Sequence, residues 1–420
     1  MHAIIIGTGI GGLTAALALA QRDIDVTLYE SVREIRPLGV GINLLPHSVR
    51  ELTELGLQPQ LAAAGIETAE LVYYNRHGQR IWQEARGLAA GYRWPQYSIH
   101  RGELQMILYR AALAKLGAGR IRLGHHLARA EQRGEHVVAH FTDADGSLLP
   151  EARADLLIAA DGIHSAVRRQ FYPDEGPPRF SGRLLWRAVT RAAPFLTGRS
   201  MIMAGHQDQK FVCYPISRQA AEQGASLVNW IAELRISGDT PSRSDWNRRV
   251  EKSVFAPRFD GWRFDWLDIP ALIAGADAVF EFPMVDRDPL PRWSHGRITL
   301  LGDAAHPMYP IGSNGASQAI LDARVLADCL DHCLKSGDAV EQALTAYEAQ
   351  RLPPTANIVM LNRQNGPEQV MQLAEERAPQ GFAHIHDIIP AVELEQIAAR
   401  YKVVAGFDME RLNQTDAPGK

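Results

Sequence analysis

The sequence predicts an α/β fold in which a mostly parallel sheet is interrupted by an inserted antiparallel sheet and followed by a helical C-terminus. Three observations predict it. Residues 2–30 spell a branched apolar run, a glycine-rich turn, an Ala/Leu helix and a second branched run. Residues 69–99 and 179–285 change to alternating or short strand-like runs. After Arg297 the texture of buried strand plus helix returns.

The elements follow in order. His2 to Gly7 suits a fully buried parallel strand, and Leu13 to Arg22 suits a helix. Ile24 to Glu30 is the next strand, which closes a βαβ unit of about thirty residues. Asn43 to Leu55 and Arg101 to Leu116 carry helical periodicity. Ala69 to Ala85 alternates about a His77-Gly78 turn, which predicts a hairpin. Glu135 to Phe141 reads as a hairpin arm and Ala154 to Ala160 as another buried strand. Leu184 to Thr190, Lys210 to Ile216, Ser226 to Leu234 and Ala278 to Phe282 make up the inserted sheet. Leu330 to Lys420 is largely helical with a polar tail. The resulting division assigns 1–68, 100–178 and 286–355 to the parallel layer, 69–99 and 179–285 to the insert, and 356–420 to a C-terminal segment.

Composition removes several classes of function. The chain has 420 residues, 46% of them hydrophobic, which is enough core to need no disulfide or metal. A formal net charge of −4 leaves no basic footprint for nucleic acid. Three cysteines, Cys213, Cys329 and Cys333, are too few and odd for a disulfide framework and point to a reducing, cytoplasmic setting. The string C-L-D-H-C from Cys329 invites a metal reading, but it reads as helix and lacks a further Cys/His pair, so no metal is expected. Ala3 to Ala20 is apolar, yet it has no basic leader and is broken by glycines, which argues against an export signal or a membrane span.

The chemistry begins at Gly7, Gly9 and Gly12, which fit G-x-G-x-x-G between a strand and a helix, with Glu30 ending the following strand. In that setting the pattern is a dinucleotide fingerprint on a Rossmann-like unit. Gly7 makes the turn, Gly9 admits a pyrophosphate and Gly12 lets helix and strand pack. The helix N-terminus offers free N–H groups and a positive dipole end to the phosphates, and Glu30 accepts from the ribose hydroxyls. The fingerprint serves NAD and FAD alike. However, the chain has no second copy, and it has two further Asp/Gly strand ends, Asp161-Gly162 and Gly302-Asp303.

With these three motifs the chain resembles the single-component flavin monooxygenases of the p-hydroxybenzoate and salicylate hydroxylase type, over roughly residues 3 to 355. Within the family, E-I-R-P-L-G-V-G-I-N from Glu34, P-Q-Y-S-I-H-R-G-E-L from Pro95 and P-M-V-D-R-D-P-L-P from Pro283 resemble the members acting on phenazine carboxylates. The stretch after Arg363 departs from that likeness. The resemblance implies a p-hydroxybenzoate hydroxylase-like fold, non-covalent FAD, NADH or NADPH as transient reductant, and O2 as co-substrate. The reaction implied is hydroxylation of an aromatic carboxylate, with or without loss of the carboxylate.

The same resemblance implies roles for residues. Asp303 would bind the ribityl chain, Arg101 would reach the ribityl and pyrophosphate, and Asp161 would stand near them. Gly11 and Leu127 would touch the cofactor through backbone. Asn314, Gly315 and Ala316 open a helix aimed at the flavin pyrimidine, whose reduced form the dipole would favour by about 0.3–2 kcal/mol. Gly39 and Gly41 would give the flavin ring room to move. Trp186, Cys213, Tyr214 and Pro307 are the candidate substrate-lining residues, Tyr214 and Pro307 being the nearest to catalytic candidates; the reaction is borne by the cofactor and needs no protein nucleophile. The expected partners are a small aromatic substrate and O2, with no nucleic acid or membrane, in a monomer or homodimer. Two other classes fit the motifs: a FAD-dependent reductase that inserts no oxygen, and a flavin-binding protein without catalysis. Oxygen uptake that needs both NAD(P)H and substrate separates them.

Overall fold

The computed structural model describes residues 1–237 and 248–414. The first layer is a six-stranded sheet in the order 294–295, 298–300, 156–159, 2–6, 25–30, 121–123. Its pairings are parallel except at the short 294–295 edge, and Ile5 lies between Ile158 and Leu28. The centre of this sheet is covered on both faces, so its strands read as unbroken apolar runs. The helix Ile10–Ala20 is buried from Gly12 to Ala20 and packs on the helices Arg101–Leu116 and Gly315–Ser336. Small Ala side chains allow that close approach.

The second layer is an eight-stranded sheet in the order 248–250, 279–286, 179–192, 226–235, 209–215, 200–206, 70–74, 80–85. Its pairings are antiparallel except between 200–206 and 70–74. Because strand side chains alternate between faces, this sheet has two distinct surfaces. Trp186, Ala188, Ile202, Phe211, Cys213 and Trp230 form the far face, buried under Phe255, Phe259, Trp262 and Ile269. Leu185, Met201, Met203, Tyr214 and Ile231 form the near face, which meets the 309–311 loop and the C-terminal helices.

The helix 101–116 matches its expected limits. The expected helix from Asn43 is shorter: Gly41–Leu44 pairs with Tyr97–His100 as a strand, and the helix is Pro46–Glu54. Pro46 sits in the helix's first turn, where its preset φ and missing N–H favour a start. The C-terminal segment is helical at Val340–Arg363, Gln369–Arg377, Ala391–Val404 and Met409–Gln414. The expected polar tail, 415–420, lies outside the described residues. Among the described residues no helix is long and apolar enough to cross a membrane.

Candidate active site and cofactor cradle

At the end of the strand His2–Ile6 the three fingerprint glycines do different work. A Cβ on Gly7, whose φ is +100°, would lie 2.5 Å from the Ala160 carbonyl oxygen, and one on Gly12 would lie 2.1 Å from that of Gly7. Both are closed against protein. A Cβ on Gly9 would meet nothing within 4 Å, so this glycine borders open space. The helix beginning at Ile10 has no side-chain cap and no acidic residue in its first turn. Its first N–H groups are therefore available to an anion. Gly11 is packed instead, with its missing Cβ 2.8 Å from Leu301 Cδ2.

Glu30 holds this turn together. Its Oε2 accepts from the Thr8 N–H and hydroxyl, each at 2.8 Å, and its Oε1 from the Ser31 hydroxyl at 2.9 Å and the Val32 N–H at 3.1 Å. Burial works against the charge, but these donors hold the carboxyl below its usual range. The Glu30 carbonyl accepts from the His125 N–H at 2.8 Å, which brings the half-buried Leu127 to the same edge against Phe141.

Three further groups are short of partners. Asp161 Oδ2 accepts from the Ala166 N–H at 2.7 Å, while Oδ1 is buried with none, and burial pushes this carboxyl up. Asp303 is exposed and makes no hydrogen bond to the described residues; desolvation by the surrounding protein raises its pKa, with His306 and Arg101 pulling the other way. Arg101 donates its backbone N–H to the Val40 carbonyl at 2.8 Å, and its exposed guanidinium makes no hydrogen bond to the described residues. A hydroxyl-bearing, phosphate-bearing ligand would satisfy all three.

A second uncapped helix start belongs to the helix Gly315–Ser336, which packs on the 302–304 turn. Asn314 precedes the helix Gly315–Ser336 without capping it, and its Nδ2 is buried and unpaired. Gly315 and Ala316 are half-buried at that helix N-terminus. An acceptor-rich ring edge fits there.

Several supporting residues are missed by sequence reasoning. Asp322 accepts from the Gly302 N–H at 3.0 Å, meets His306 Nε2 at 2.5 Å and accepts from Arg351 Nε at 2.7 Å. Burial alone would raise its pKa, but His306 and Arg351 bring it down to about 2. This buried network fixes the turn that carries Asp303. The C-terminal segment, where the likeness lapses, closes on the loop before Asn314. Tyr401 donates to the Ile311 carbonyl at 3.3 Å, and Gln318 donates to that of Ala405 at 3.0 Å. His47 stacks on Phe407 at 5.4 Å, and burial, with Arg351 and Arg50 nearby, takes its pKa to about 3. The sequence signal for these contacts is weak, because the partners lie up to hundreds of residues apart.

The substrate-lining candidates separate. Tyr214 lies on the near face, where burial pushes its phenol to about 12. Pro307 is buried in the loop before Tyr309, and its carbonyl accepts from the Arg287 N–H at 3.4 Å. Trp186 and Cys213 need correction. Trp186 stacks on Phe255 and donates Nε1 to Glu281 at 2.9 Å, and Cys213 is buried in the same far-face core. They neighbour Arg187 and Tyr214 in sequence, so strand alternation turns them the other way. Gly41 needs correction too. Its missing Cβ would lie 2.6 Å from Asn229 Cβ and 2.8 Å from Ile216 Cγ2, so its room is taken by the sheet and does not serve a moving ring.

Comparison with known proteins agrees with this geometry. Residues 1–362 match a family model described as an FAD binding domain. The chain is 46% identical to the phenazine 1,6-dicarboxylic acid hydroxylase PhzS of Lysobacter antibioticus, over 86% of this chain and 88% of that protein. It is 32% identical to the 3-amino-4-hydroxybenzoate 2-monooxygenase of Streptomyces cremeus, over 91% and 93%. The structure of Klebsiella pneumoniae HpxO complexed with FAD and uric acid superposes with a TM-score of 0.71 at 25% identity, covering 99% of this chain and 95% of that one. The chain belongs to the FAD-binding-domain family and is an FAD-dependent aromatic monooxygenase.

Proposed function

We propose that this monooxygenase hydroxylates a flat, carboxylated aromatic of the phenazine type, at or beside the carbon bearing the carboxylate. The near-face wall supports this most directly. Leu185, Ile231, Phe282 and Met284 of the sheet face Tyr309 and Ile311 of the loop that leads into the second uncapped helix. The result is an apolar, ring-bearing wall, which would offer a flat substrate stacking worth about 0.5–1.5 kcal/mol per aromatic pair beyond area burial. The 46% identity with a phenazine dicarboxylic acid hydroxylase points to the same substrate class.

When bound, FAD would supply the redox chemistry of accepting a hydride from NADH or NADPH and activating O2. The protein binds and orients. In our reading Gly9 and the helix start after it take the pyrophosphate, Glu30 and Leu127 border the adenosine, and Gly7, Gly11 and Gly12 shape that turn. Asp303, Arg101 and Asp161 take the ribityl and pyrophosphate, and Asn314, Gly315 and Ala316 take the pyrimidine edge. Tyr214 and Pro307 border the substrate. The free thiols Cys213, Cys329 and Cys333 are in keeping with a cytoplasmic setting.

The test is rapid-mixing reduction of the holoenzyme by NADH and by NADPH, with and without phenazine-1-carboxylate or salicylate, followed by mass analysis of the product. A phenazine that speeds flavin reduction and gains one oxygen, with or without loss of its carboxyl carbon, supports the proposal. Tightly coupled hydroxylation of salicylate with no response to phenazines replaces it with a monocyclic substrate. Reduction of a ligand without oxygen uptake would make the chain a reductase.

A further inference from the structure

Buried cations in this protein come with carboxylates. Arg86 pairs with Glu84, Arg168 and Arg287 with Glu175, Arg183 and Lys210 with Glu233, and Arg351 with Asp322. Arg187, half-buried with its Nε fully covered, breaks the pattern. Among the described residues that Nε has no partner, the guanidinium makes one long hydrogen bond of 3.4 Å to the Gly41 carbonyl, and no carboxylate pairs with it. It sits over the Phe282 ring, 5.7 Å from the centroid, on the same face as Leu185. Tyr214 and Arg101 are its charge-bearing neighbours, and neither supplies an anion. Burial disfavours the charged guanidinium, Tyr214 favours it and Arg101 disfavours it, with the net result a lowered pKa. A half-buried charge with a covered, unpartnered Nε and no counter-ion is open to an anion, and a planar guanidinium fork matches a carboxylate.

We infer that Arg187 is the anchor for the carboxylate of the aromatic substrate, at the polar edge of the apolar wall formed by Leu185, Phe282 and Tyr309. The inference rests on the proposed aromatic-acid substrate and adds the residue that selects for the acid. Phe282 lies under the guanidinium and belongs to the apolar wall, so a ring carrying its carboxylate to Arg187 keeps its plane along that wall. Bonds between two charged groups, about twice as strong as neutral ones, make the acid preferred over its uncharged amide.

The experiment titrates FAD-loaded wild type, Arg187→Gln and Arg187→Lys with two acid–amide pairs, phenazine-1-carboxylate with its carboxamide and salicylate with salicylamide. Binding is read from the perturbed flavin absorption, and KM and kcat are measured separately. Wild type should favour the acid over the amide by about tenfold or more. Arg187→Gln should lose at least about tenfold in acid affinity, with the amide changed by less than about twofold, so that the preference vanishes. Arg187→Lys, which keeps charge without the fork, should fall between, and it carries the comparison if the Gln variant loses flavin. The inference is overturned if wild type shows no preference for the acid, or if both variants weaken acid and amide alike. The two readings fail separately. Salicylate binding with Arg187-dependent acid preference, and no phenazine binding, removes the three-ring substrate and keeps the anchor. Phenazine hydroxylation indifferent to acid or amide keeps the substrate ring and removes the anchor.

Discussion

The Gly41 N–H donates to Asn229 Oδ1 at 2.7 Å, tying the strand Gly41–Leu44 of the cofactor side directly to the eight-stranded sheet. The two residues are 188 apart in sequence, and the contact is buried. Gly41→Ala would push a methyl into Asn229 and Ile216 and should cost about 1–3 kcal/mol. Asn229→Ala strands a buried N–H and should cost a similar amount, about 1–3 kcal/mol. Because the methyl of the first variant pushes the Asn229 side chain away and so already breaks this hydrogen bond, the double variant should lose clearly less than the two losses added. Urea unfolding of the four proteins checks this; simple additivity would mean the contact is not what confines Gly41.

Gly9 and Gly12 should fail in different ways. Gly9→Val meets open space in the protein but blocks the phosphate path, so it should fold with normal stability and bind FAD at least about tenfold more weakly. Gly12→Ala drives a methyl toward the Gly7 carbonyl and should lower the stability of the apoprotein itself, by about 1–3 kcal/mol. Thermal melts with and without added FAD distinguish the two. Normal FAD affinity in Gly9→Val would mean the phosphates lie elsewhere.

Asp303→Ala should reduce the FAD retained after dialysis, with little change in the melting of the apoprotein. The carboxylate has no protein hydrogen bond to lose, so its contribution lies with a ligand that donates to it. A flavin absorbance spectrum before and after dialysis measures the result. Unchanged retention would remove Asp303 from the cradle.

Asp322 gives the stability a defined acid limb. Its folded pKa of about 2 lies below the unfolded value of about 3.9, so its contribution is complete above the unfolded value and is lost as pH falls through the folded one. The wild type should therefore lose stability between about pH 4 and pH 2, and Asp322→Asn should flatten that part of the profile. At neutral pH the same variant leaves the Arg351 charge buried without its carboxylate and should cost about 3–5 kcal/mol. Urea midpoints as a function of pH report both effects. An unchanged acid slope would assign it to other carboxylates.

Neighbours on one strand should behave oppositely. Cys213→Ala lies in the far-face core and should cost about 1 kcal/mol of stability while leaving KM unchanged. Tyr214→Phe, on the near face, should raise KM for an aromatic acid by a few-fold, roughly the loss of one hydrogen bond, with stability nearly intact. Steady-state kinetics with matched melts decides; a KM change confined to Cys213→Ala would reverse the assignment of faces.

Local patterns carry local structure, and the readings divide accordingly. The parallel layer is legible because consecutive residues make it: a branched run before Gly7, glycines at 7, 9 and 12 and an Ala/Leu helix behind them specify strand, turn and helix within twenty residues. The insert is legible from alternation, and the helix 101–116 from its period. Alternation does not say which face meets the cofactor side, because a period of two is the same pattern read from either surface. The reading of Trp186 and Cys213 as substrate-lining residues fails for that reason. Only the packing of Phe255 and Phe259 on one face and Tyr309 and Ile311 on the other decides that Arg187 and Tyr214 look inward. The same holds for Gly41 against Asn229 and for Asp322 between His306 and Arg351. These contacts join residues separated in the chain, and their cost or benefit exists only once the layers close and water leaves the space between them.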